Sequence, residues 1–263
     1  MKLHHHGAGD GRVVLLIHGG AEDASMVEPQ ARAIAEQGFR VVWYDRRGTG
    51  DNRGDGSRGE VERADDDWAP DRGDRHADDA AELIRRLGLE QVTVLGFSSG
   101  GVVALALAQR HPDVVGEVIA WEPAALGMLP DADAIHAAIM APVEAHLVAH
   151  PGDWEGAWRV VLTVLSEGRA DFGAPEVLAA LRNAEPAIRD DARHLTRRAF
   201  SAGDLPAGKV ILAVSEKPDP MHLDIAERLA ELVGAEPVRV SGADDHEVYL
   251  KRPRVLAEWL AGR

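Results

Sequence analysis

One unit recurs along this chain: a short β-branched apolar run, a polar turn, a longer segment of helical periodicity, and a glycine. The apolar runs are "RVVLLI" (12–17), "FRVVWY" (39–44), "QVTVL" (91–95), "EVIAW" (117–121), "KVILAV" (209–214) and "PVRV" (237–240). Between them "ASMVEPQARAIAEQG", "DRHADDAAELIRRLG" and "HLDIAERLAELVG" read as helices closed by Gly38, Gly88 and Gly234. Strands alternating with crossover helices predict an α/β fold: a mostly parallel sheet of about seven strands, counting the N-terminal "KLHHH", flanked by helices. A chain of 263 residues, 45% of them hydrophobic, can fill such a core.

Two segments interrupt the rhythm. Residues 46–73, rich in Gly, Asp and Arg without apolar periodicity, are expected to form a long solvated loop. From Pro123 to Leu205 the strands cease and helical patterns take over. This predicts a core made of 1–123 and 206–263, with 124–205 inserted as a helical lid.

Composition excludes several chemistries. A formal net charge of -15 repels nucleic acid and anionic membrane surfaces, so neither is expected as a partner. With no cysteine there is no disulfide, thiolate nucleophile or Cys-ligated metal. The apolar run "VVLLI" is too short for a signal peptide or a membrane span, and a cytoplasmic location is expected. His4, His5 and His6 alternate faces if extended, which favours an edge strand over a metal site.

The chemistry concentrates in "VTVLGFSSGGVVALALA" (92–108). Gly96-Phe97-Ser98-Ser99-Gly100 fits G-x-S-x-G, with a buried strand before it and a helix after it that Pro112 ends. In a sharp strand-to-helix turn the middle residue, Ser98, is strained and exposed at the carboxyl edge of the sheet, and only glycines fit on either side. The backbone N–H of Ser99 then faces a developing oxyanion at a helix N-terminus. A second oxyanion N–H comes from the "LLIHGG" turn, where Gly20, or Gly19, lets the backbone approach; His18 there reads as structural.

A serine hydroxyl needs a base, and the base needs a group to fix its tautomer. Of twelve histidines, His246 alone follows the last expected strand, in "SGADDHEVYL". Three carboxylates compete for the acid. Glu122 ends the strand "EVIAW" at the sheet edge where Ser98 emerges, Asp219 lies between two prolines after "KVILAV", and Glu216 precedes it. The sheet-edge argument ranks Glu122 first, Asp219 second and Glu216 third.

With these residues in view, the chain resembles the α/β-hydrolases over its whole length, through "LLIHGG", "YDRRGTGD", "LGFSSGG", "RHPDVVGEVIAWEP" and "GADDHEVYLKRP". Within that superfamily "EQGFRV", "GFSSG", the "HPD" turn and a glutamate 24 residues after the serine are similar to the zearalenone-type lactone hydrolases. The chain departs from them in carrying "HGG" where they have an Asp-Gly turn. The resemblance implies a parallel-sheet core under a helical cap, without the first strand of the eight-stranded version. In those lactone hydrolases the acid follows the sixth strand, as Glu122 would.

Within the lid, Trp154 and Trp158 lie four apart on one helical face and, with Met128 and Met140, offer an apolar surface for packing or for substrate. Arg46 and Arg47 are expected to pair with the aspartates around them. The expected activity is that of a serine hydrolase needing neither metal nor cofactor, acting on a small-molecule ester or lactone, with a macrolactone among the options. A ligand receptor on the same fold, a C–C bond hydrolase and an acyltransferase are the alternatives. The oligomeric state is left open, a homodimer included.

Overall fold

The structure, a computed structural model, describes residues 3–53 and 71–263. Seven strands form one sheet in the order β1-β3-β2-β4-β5-β6-β7. They are β1 (His5–Ala8), β2 (Val13–Ile17), β3 (Arg40–Tyr44), β4 (Val92–Phe97), β5 (Val115–Trp121), β6 (Val210–Val214) and β7 (Val238–Arg239). Only β1 runs antiparallel, pairing with β3 at the sheet edge. The histidine run thus begins an edge strand, with the His6 ring stacked on Trp43.

The runs of β2 to β6 are largely buried on both faces, which explains why these strands show no apolar/polar alternation, whereas β7 at the sheet edge is partly exposed. Val14 and Leu16 point to one side of the sheet, into a core shared with α1 (Ala24–Glu36), α9 (Val248–Lys251) and α10 (Arg254–Ala261). Leu15 and Ile17 point to the other, into a core shared with α2 (Asp71–Arg86), α3 (Ser99–Arg110) and α8 (Pro220–Val233). The expected glycine stops are present. Gly38, Gly88 and Gly234 all have positive φ, and the amide of Ala235 reaches back to the carbonyl of Ala230 as in a Schellman cap.

The stretch between β5 and β6 holds helices and turns only: α4 (Ala132–Ala149), α5 (Trp154–Leu165), α6 (Pro175–Ala180), α7 (Ala184–Pro186) and a π-helical turn, Ala187–Ala192. The expected solvated loop at 46–73 needs correcting at both ends. Asp71 already opens α2, and Arg46 and Thr49 are buried; residues 54–70 of it lie outside the described residues. Among the described residues no helix is long and apolar enough to cross a membrane.

Candidate active site

Strand β4 ends at Phe97, paired with Trp121 of β5. The next residues, Ser98 and Glu122, therefore emerge side by side at the carboxyl edge of adjacent parallel strands, whose backbones lie about 5 Å apart. Both have left-handed backbones, Ser98 at φ 51° and Glu122 at φ 37°. Such strain in non-glycine residues is sustained where the surrounding structure over-determines it. Glycines flank the serine because two chain segments meet there. A Cβ on Gly96 would stand 2.2 Å from the carbonyl oxygen of Gly100, and one on Gly100 would stand 2.3 Å from that of His18.

Trp121 is bonded to both sides of the site. Its carbonyl accepts from the Ser98 amide at 3.0 Å, and its indole Nε1 donates to the carbonyl of His246 at 2.9 Å. His246 Nδ1 in turn lies 2.7 Å from Glu122 Oε2. The other carboxylate oxygen, Oε1, accepts from the amide of Ser215 at 2.9 Å and from its hydroxyl at 2.7 Å. Burial pushes the Glu122 carboxyl up, but His246 and Ser215 outweigh it and hold the group at about 2. For His246 burial acts downward, and the bond to Glu122 and its charge prevail, raising the imidazole above its ordinary value. An ionised carboxylate thus faces Nδ1 and fixes the tautomer that leaves Nε2 free to act as a base.

The other two candidate acids take different places. Asp219 is exposed and caps α8, accepting from the amide of Met221 at 2.9 Å. Glu216, also exposed, ties the β6 end to the next loop through Ser241 and the amide of Gly242. Neither bonds His246. Of the two candidate oxyanion glycines, Gly19 is engaged elsewhere, its amide donating to Glu22 Oε2 at 2.8 Å. The amides of Ser99 and Gly20 donate to no protein acceptor among the described residues.

The tryptophans on α5 part company. Trp154 lies under the Arg189 guanidinium at 4.7 Å, whereas Trp158 reaches Gly20, where a Cβ would stand 3.8 Å from the indole. Met128 packs on the core, and its sulfur accepts from the Phe200 amide. Among the described residues both arginines pair with aspartates of other elements. Arg47 pairs with Asp79 of α2, and Arg46, 2% exposed, pairs with Asp191 of the π-helical turn.

Sequence reasoning passed over Glu22, Tyr249, Ser215, His222 and Asp191. Glu22 accepts from Tyr249 Oη at 2.5 Å, and Tyr249 stacks on Phe97 with ring centroids 4.0 Å apart. This ties the His246 loop to the "HGG" turn. His222 stacks on His246 at 4.5 Å. Glu122, His222 and His246 could jointly present ligand atoms to a cation, as could His4, Asp45 and Asp51.

Buried titrating groups around the site predict acid sensitivity. Burial first, then a nearby positive charge, lowers His18 and His76 to about 3 and His222 to about 4, from 6.5. These three imidazoles take up protons between those values only on unfolding, so their contribution to stability is complete above pH 6.5 and is lost as pH falls. Glu22, raised by burial to about 7, acts in the opposite sense. Three groups against one leaves the unfolded chain with more protons near about pH 5. The thermal midpoint should therefore fall as pH drops from 6.5 toward 4; calorimetry showing a flat or rising midpoint there would refute this.

Comparison with known proteins agrees with this architecture. Residues 12–142, about half of the chain, match the family described as alpha/beta hydrolase fold. The uncharacterized hydrolase YraK of Bacillus subtilis (strain 168) is 35% identical over 128 residues, 49% of this chain and 43% of YraK. Mouse (Mus musculus) serine hydrolase BPHL is 30% identical over 123 residues, 46% of this chain and 39% of BPHL. The chain thus spans about two fifths of the length of the curated relatives it matches. A thermophilic esterase from Thermogutta terrifontis superposes with a TM-score of 0.70 at 21% identity, covering 99% of this chain and 92% of that one. At that identity the likeness is one of fold.

Proposed function

Because the chain belongs to the α/β-hydrolase superfamily, we propose that it is a serine hydrolase that cleaves a carboxylic ester or lactone through an acyl-enzyme. The observation that carries this reading is the 2.7 Å pair of Glu122 and His246, held at the strand end beside the strained Ser98. In this reading His246 Nε2 takes the Ser98 proton as Oγ attacks the carbonyl carbon, and the amides of Ser99 and Gly20 hold the resulting oxyanion. The imidazolium, stabilised by Glu122, returns the proton to the departing alkoxide. A water, deprotonated by the same imidazole, then releases the acid and restores Ser98. The segment 124–205 serves as a lid, and Trp158 beside Gly20 supplies an apolar wall for the acyl group.

The names of the relatives support the class: BPHL is called a serine hydrolase and the Thermogutta protein an esterase. A macrolactone such as the zearalenone-type enzymes cleave remains one substrate within this class. The test is a screen of aryl esters, macrolactones and homoserine lactones in labelled water. Continuous turnover past one equivalent is expected, with label in the released acid. A single stoichiometric burst would instead identify a receptor, and label-free transfer to an added alcohol an acyltransferase. The kcat/KM profile should lose activity on the acid side with a limb above the ordinary imidazole value, since His246 must be neutral to act and its pKa is raised.

A further inference from the structure

The proposed oxyanion donor Gly20 shares its peptide plane with the carbonyl of Gly19. No cis peptide bond occurs among the described residues, and in a trans peptide the C=O and N–H point in opposite directions. Whatever grips the Gly19 oxygen therefore aims the Gly20 N–H. Two buried donors do so. Arg46 Nη2 donates to Gly19 O at 2.9 Å, and His18 Nδ1 lies 2.9 Å from the same oxygen. The Arg46 amide donates to His18 Nε2 at 3.1 Å, and Nδ1 lies closer to the Gly19 carbonyl, at 2.9 Å, than to the Arg46 Nε donor, at 3.4 Å; both comparisons favour the single proton of this neutral ring on Nδ1, facing Gly19.

A buried guanidinium needs a partner, and Arg46 has one from the segment between β5 and β6. Asp191 takes it bidentately, Oδ1 at 3.0 Å from Nη1 and Oδ2 at 2.6 Å from Nη2. Asp191 Oδ2 also accepts from the Ser99 hydroxyl at 2.8 Å. A Cβ on Gly20 would stand 3.3 Å from that carboxylate oxygen. One charge pair thus contacts both segments whose amides are proposed to bind the oxyanion.

We propose that Arg46 and Asp191 are positioning residues of the oxyanion site: Arg46 orients the Gly19–Gly20 peptide, and Asp191 brings in the charge balance from the π-helical turn. The inference rests on the serine-hydrolase reading. It also revises the part of Ser99, whose hydroxyl joins the pair while its amide faces the substrate. Folding of the 124–205 segment onto the core then completes the catalytic geometry as well as covering it. Without Arg46 the Asp191 carboxylate would oppose the oxyanion instead of supporting it.

The test replaces both charges with apolar side chains of comparable size, Arg46→Met with Asp191→Leu, because removing a buried pair whole is tolerated far better than breaking it. With an aryl ester, kcat should fall about 10- to 100-fold while KM changes by less than about threefold, since misaiming a donor costs somewhat less than deleting one. Affinity for an alkyl boronic acid, which forms a tetrahedral adduct at the serine, should fall by the same factor. A folded double variant with wild-type kcat, or one that loses kcat but not boronate affinity, overturns the inference. Arg46→Lys, which keeps a cation opposite Asp191 and loses the fork that spans Asp191 and the Gly19 carbonyl, provides the second measurement if the double variant unfolds, with the same split expected and the same outcomes against it. A wild-type chain without Ser98-dependent turnover overturns the hydrolase reading and this inference together, whereas an active wild type with unaffected variants overturns this inference alone.

Discussion

Ser98→Ala is expected to lower kcat by at least about 10³-fold while leaving KM within a few fold, measured as steady-state ester hydrolysis. The alanine removes the oxygen proposed to attack and keeps the amides proposed to hold the oxyanion. The fold should survive, because the elbow is held by backbone contacts the substitution keeps: the residue 98 amide to the Trp121 carbonyl and the residue 98 carbonyl to the amides of Gly101 and Ala124. Relief of side-chain strain at φ 51° will be small, since alanine also carries a Cβ. Ser99→Ala is the contrasting case. It keeps the amide and removes one of three hydrogen bonds to Asp191, so a loss of about tenfold or less is expected. Equal losses at both positions would end the division of labour between the two serines.

What could be read in the sequence is what repeats locally. Strand, turn, helix and glycine succeed one another at short range, so the six strands β2 to β7 and the three glycine-capped helices were legible. The serine elbow was legible for the same reason, being a single strand-turn-helix unit. The placement of Glu122 beside Ser98 was reachable by one further step, that adjacent parallel strands end at the same edge. Long-range pairings left no such mark. Arg46 and Asp191 lie 145 positions apart, and Tyr249 and Glu22 lie 227 apart. In composition Arg46 belongs to a Gly/Asp/Arg-rich stretch that reads as solvated, yet its side chain is inside the protein. No local periodicity distinguishes a buried arginine from a surface one when its counter-charge arrives from another segment.

The acid is the assignment where a rival was plausible from sequence, and it gives the second large effect. Glu122→Gln is expected to lower kcat by about 10⁴-fold, the scale seen when an amide replaces a triad carboxylate. The direction follows from the hydrogen bonds. The Ser215 amide donates to Oε1, so the glutamine oxygen will settle there and its NH₂ will turn to His246 Nδ1. Facing a donor, Nδ1 must accept, and the proton moves to Nε2, the atom proposed to take the Ser98 proton. Whatever activity remains should show its acid limb at lower pH than the wild type, because the bond and charge of Glu122 are gone and burial is then opposed only by the more weakly acting charges of Glu247 and Glu22. Asp219→Asn should leave kcat nearly unchanged, and stability as well, since asparagine caps a helix about as well as aspartate does. Should Asp219→Asn cost about 10³-fold or more while Glu122→Gln costs almost nothing, the 2.7 Å pair at His246 is not the catalytic one.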